Sequence, residues 1–133
     1  MKTQSCIEIK KEWDIVGARQ MGRSTAKEIG FGTVDQARIA TAISELARNI
    51  YLYTEKGTIC LEFIAKNGEK GIQIIAEDQG PGIKDIQTVL EDGYTTSGGL
   101  GAGLPGVKRL MDEFTITSIE GKGTKVIAIK WLR

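Results

Sequence analysis

Apolar and polar residues alternate from Cys6 to Ile9, the two-residue period of a strand with one face on a core. From about Trp13 to Glu28 the period lengthens to that of a helix, and Gly30 stands where such a helix would end. Thr33-Val34-Asp35-Gln36 has the spacing of a capping box and predicts a second helix reaching about Tyr53. Ile39, Ile43, Leu46 and Ile50 form its apolar stripe. Gly57 then leads into a strand-like run, Thr58 to Ile64, which Asn67-Gly68 turns back into Ile72 to Glu77 as a hairpin. A short helical piece is expected from Ile83 to Leu90. The stretch Asp92 to Gly103 holds five glycines and no apolar period, which predicts a mobile loop. A third long-period segment runs from Leu104 to about Met111, with Pro105 suited to its first turn. Two strands, Phe114 to Ile119 and Thr124 to Trp131, close the chain. Clustered antiparallel strands and intervening helices predict an α+β fold, a two-layer α/β sandwich with helices on one face of a mostly antiparallel sheet. Residues 1–133 are expected to form one domain.

Composition narrows the function classes. A hydrophobic content of 41% and a charged content of 26% are those of an ordinary globular domain. A formal charge of +1 gives no reason to expect nucleic acid as a partner. No apolar run approaches the roughly 20 residues of a membrane span, and the first residues lack a signal peptide's apolar stretch. No membrane association is expected, and a cytoplasmic location is the default. Cys6 and Cys60, each among apolar strand neighbours, are expected to be reduced core cysteines. The chain contains no histidine, so its chemistry must use carboxylates, hydroxyls, amides and bound metal.

Thr41, Glu45 and Asn49 recur every four residues and so share a line along the second helix, beside its core stripe. The amide oxygen of Asn49 is a hard donor suited to Mg²⁺, and a carboxylate one turn earlier could orient or deprotonate an attacking hydroxyl. Taken alone, the pair is also what the polar face of any amphipathic helix offers. Asp78 ends a strand and precedes Gln79-Gly80-Pro81-Gly82. A carboxylate there can accept from an exocyclic amine while small residues admit a flat ring, although Asp and Pro-Gly also make simple turns. Gly98 to Gly103 can aim backbone N–H groups at phosphate, and the helix opening near Leu104 adds its positive end. The same stretch would also serve as a plain flexible linker. Neither a Walker loop nor a dinucleotide-binding glycine pattern fits it. Lys108 and Arg109 could face phosphate or merely solvent. The hydroxyl of Thr124 could join a network around Asp78.

In this order and spacing the pieces resemble the GHKL superfamily of ATP-binding domains, shared by gyrase, Hsp90, the histidine kinases and the MutL proteins. Glu45 to Asn49 is similar to its N box, Asp78 to Gly82 to its G1 box and Gly99 to Gly103 to its G2 box. Gly121-Lys122-Gly123-Thr124 resembles the glycine-threonine element near its end. Within the superfamily the chain is similar to the small anti-sigma-factor serine/threonine kinases of bacteria. The resemblance implies the Bergerat-type fold and Asn49 as Mg²⁺ ligand. It implies Asp78 as reader of the adenine amino group and Glu45 as general base. Gly80, Gly82, Gly99, Gly101 and Gly103, with Leu104 and Thr124, would shape the ATP pocket. Further implied are phosphorylation of STAS-domain scaffold proteins and, by partner switching, activation of a PP2C-type phosphatase in a stress response. The alternative is a nucleotide-regulated anti-sigma module that works by sequestering a partner.

Overall fold

In the computed structural model, which describes residues 4–54, 56–79, 103–119 and 121–133, the alternating segments become five strands. These are β1 (Gln4–Ile9), β2 (Gly57–Lys66), β3 (Glu69–Asp78), β4 (Glu113–Ile119) and β5 (Gly123–Trp131). They form one antiparallel sheet in the order β1-β2-β3-β5-β4. Three helices are described, α1 (Glu12–Ile29), α2 (Thr33–Tyr53) and α3 (Gly103–Leu110). The expected α+β sandwich is therefore what the chain adopts. The helical piece expected at Ile83 to Leu90, and the glycine loop before Gly103, lie outside the described residues.

Parity decides which strand residues meet the helices. Ile9, Ile59, Leu61, Ile72, Ile74, Ala76, Val126 and Ala128 point to one side and are buried. There they join the stripe Ile39, Ile43, Leu46 and Ile50 of α2 in a single core. Each isoleucine, leucine or valine among them contributes about 1.5–3 kcal/mol by leaving water. Asn67 and Gly68 both take positive φ, 53° and 82°, so a two-residue turn joins β2 to β3 as expected.

Two expectations need correction, and one feature was not foreseen. Gly32, not Thr33, caps α2, and no side chain bonds there. The helix starts one residue earlier than the capping pattern implied, so the Thr33 hydroxyl lies inside the first turn. Gln36 instead donates its side-chain N–H to Phe31 O at 2.8 Å. The unforeseen feature is an N-terminal lock on α1 that its pattern did not suggest. The Asp14 carboxylate accepts from the backbone N–H groups of Lys10 (3.0 Å) and Lys11 (2.9 Å). These two bonds hold its carboxyl below the usual carboxylate range. Second, Cys6 and Cys60 are neither reduced nor in the core. They face each other across β1 and β2 and are joined as a disulfide. Ile7, Ile9, Ile59 and Leu61 take the inward positions, so residues 6 and 60 point away from the helices.

Candidate active site

One cross-strand row ends the sheet on its helix side. Ile9 pairs with Gly57, Gly57 with Asp78, Asp78 with Thr124, and Thr124 with Ser118. Directly opposed residues point to the same face, so Asp78, Thr124 and Ser118 are neighbours. The hydroxyls of Ser118 and Thr124 are 2.9 Å apart, and the Ser118 hydroxyl also reaches Gly123 O at 3.3 Å. Asp78, Thr124 and Ser118 are half-buried, open enough to meet a ligand and sheltered enough for a hydrogen bond to matter.

Two glycines let the backbone close around Asp78. Gly123 has φ +120°, and a Cβ there would run into Asp78 O. At Gly57 a Cβ would lie 2.7 Å from Glu77 O, 2.9 Å from Ile50 Cγ2 and 3.0 Å from Asp78 Cβ. The same approach therefore brings the last turns of α2 against the corner that holds Asp78.

On α2, Asn49 immediately precedes Ile50 and is half-buried, while Glu45 is 6% exposed. A carboxylate that deep needs a counter-charge, and Arg48 Nη1 lies 3.8 Å from Glu45 Oε1. Thr41, one turn before Glu45, shares an open groove of about 420 Å³ with Thr33, Val34, Ala37, Arg38 and Leu110. Leu110 belongs to α3, so this line of α2 runs along the side where α3 packs.

Gly103 opens α3 with φ +60°. The Leu104 side chain is buried in the core, which leaves its main chain as the part that could meet a nucleotide. The far end of α3 is held by Lys130, a buried lysine whose Nζ donates to Leu110 O at 3.0 Å and lies 3.9 Å from Asp35. Among the expected site residues, Asp78 and Thr124 come together on the sheet, and Ile50 brings the end of α2 beside them. Gly80, Gly82, Gly99 and Gly101 lie outside the described residues. Ser118 and Lys130 were missed. Each sits in an alternating strand where a serine or lysine resembles filler, and only the register gives it a partner. The aromatics Trp13 (71%), Tyr51 (38%) and Tyr53 (46%) are exposed.

Comparisons with known proteins bear on the fold and the family. Residues 34–133 match the model of the histidine kinase-, DNA gyrase B- and HSP90-like ATPases, and the chain belongs to that family. It is 71% identical, over the whole of both chains, to the serine/threonine-protein kinase RsbT of Bacillus subtilis. That end-to-end likeness gives the enzyme class, a protein serine/threonine kinase that uses ATP. The chain is also 33% identical to an anti-sigma F factor of Clostridium novyi, over 71% of this chain and 70% of the relative. In fold it is similar to the RsbU and RsbW domains of a Mycobacterium tuberculosis protein, with TM-score 0.62 and 18% identity, over 97% of this chain and 33% of that one. A mycobacterial sensor histidine kinase, MprB, shares the fold with TM-score 0.56 and 13% identity, over 96% of this chain and 97% of that one. Among the described residues no helix is long and apolar enough to cross a membrane.

Proposed function

We propose that residues 1–133 act as one ATP-binding kinase domain, moving the γ-phosphoryl group of ATP to a serine or threonine hydroxyl of a STAS-domain protein. Asp78 accepts from the adenine amino group, with Thr124 beside it. Glu45 orients the acceptor hydroxyl and takes its proton. The glycines 80, 82, 99, 101 and 103 shape the pocket, and the main chain at Leu104 turns toward phosphate. The donor set fits Mg²⁺: a hard amide oxygen on Asn49, a carboxylate one turn away, and no histidine. Bound there through Asn49 and phosphate oxygens, the ion would spread the charge of the transferring group. Released from its substrate scaffold, the kinase engages and activates a PP2C-type phosphatase by partner switching.

The observation that most supports this reading is the buried Glu45 carboxylate, one turn from Asn49, on a helix whose Ile50 abuts the Gly57–Asp78 corner. A domain that only sensed nucleotide would need no general base there. The test is incubation with radiolabelled ATP, Mg²⁺ and STAS-domain proteins. Label on a serine or threonine of one of them is expected, and its absence from every one would sink the assignment. The likeness to anti-sigma F factors favours a second reading, in which sequestering a partner is the main activity. Partner capture by Glu45→Ala that fully reproduces the wild-type effect on transcription would select that reading instead.

A further inference from the structure

We propose that Cys6 and Cys60 form a reversible oxidation site that clips the edge strand β1 to β2. The inference is independent of the phosphotransfer reading. The two residues are direct register partners, and one S–S bond joins them with Cα atoms 4.0 Å apart. They lie on the sheet face turned away from the helices, Cys6 exposed and Cys60 half-buried, so an oxidant or a thiol in solution reaches them. Cys60 is also the register partner of Ile75, and Ile75 of Ile127, so the sulfurs end an apolar strip across the outer face. β1 is an edge strand whose sheet partner is β2, and the S–S bond closes a loop with sequence separation 54. Closing a loop of that length restricts the unfolded chain and stabilises the folded one. In a reducing compartment, a bond this open to thiols is one of the reversible kind.

The chemistry balances with a peroxide as oxidant. The Cys6 thiolate attacks the O–O bond of hydrogen peroxide, forming a sulfenic acid and releasing hydroxide, which leaves as water once protonated. The Cys60 thiolate then attacks that sulfur, the S–S bond forms, and a second water departs. Overall two thiols lose two hydrogens and one peroxide becomes two waters. Reversal needs two external thiols, which leave as their own disulfide.

The test compares fully reduced chain with chain treated with hydrogen peroxide. Each sample is alkylated after denaturation and weighed intact. Reduced chain should gain two alkyl groups, one for each cysteine it contains. Oxidised chain should gain none, be lighter than the reduced chain by two hydrogens, and yield one linked peptide pair from within a single molecule. Its melting temperature should exceed that of the reduced chain by about 5 °C or more. Cys60→Ser should lose that difference and give oxygen adducts or dimers through Cys6. Persistent alkylation of peroxide-treated wild type, oxygen adducts in place of the link, or wild-type dimers would overturn the site. Equal melting of the two forms would overturn the clip.

Discussion

At the scale of single residues, the proposed roles separate binding from chemistry. Asp78 is assigned to the base, so Asp78→Asn removes a charged acceptor and should raise the Kd for ATP by about 10–100-fold, measured by calorimetry. Glu45 is assigned to the acceptor hydroxyl. Glu45→Ala should leave that Kd nearly unchanged while single-turnover transfer slows by about 10²-fold or more. Equal losses of binding and transfer in both variants would merge the two roles. Under the same proposal Ser118 would act one step back, through the Thr124 hydroxyl 2.9 Å away. Ser118→Ala removes one neutral hydrogen bond and should weaken ATP binding about fivefold, with Ser118→Thr retaining affinity. Asp78, Glu45 and Asn49 were legible as candidates because their neighbours in the chain carry meaning, in a helical period of four or at a strand end before Gly-Pro-Gly. Ser118 was not, because its meaning arises only when β4 is laid beside β5.

At the scale of elements, each helix is tied down by a polar contact that hydrophobic periodicity does not report. Lys130 secures the end of α3 through the Leu110 carbonyl, with Asp35 of α2 nearby. Lys130→Met keeps the apolar stem but strands that carbonyl, and should cost about 1–3 kcal/mol in urea unfolding. Asp14 fastens the start of α1, and the N–H groups of Lys10 and Lys11 hold its carboxyl below the usual carboxylate range. A depressed folded pKa means the contribution is complete above the unfolded value and disappears as pH falls through the folded one. Unfolding midpoints of wild type and Asp14→Asn should therefore differ at neutral pH and converge in acid below about pH 3.8. The period and the glycines were enough to read helix bodies and the hairpin turn. The caps were misread because Thr33 and Gly32 compete for one position, and the choice follows from how the chain leaves Phe31.

At the scale of the whole molecule, the fold class was legible because alternation, helical stripes and turn residues all agree. Strand order was not predicted, since nothing local distinguishes β1-β2-β3-β5-β4 from other antiparallel arrangements. The face taken by the cysteines was misread as the core one, because apolar residues flank both. Inward parity belongs to the isoleucines, and it turns the sulfurs to the outside.

Gly57, Asp78, Ser118 and Thr124 come from four different strands, so the row they form does not exist in any partly assembled chain. Nucleotide occupancy should therefore report the joining of these four strands. ATP at a hundred times its Kd adds about 2.7 kcal/mol to the folding free energy. That gain should rescue weakened variants far from the pocket, Lys130→Met among them, as fully as variants close to it.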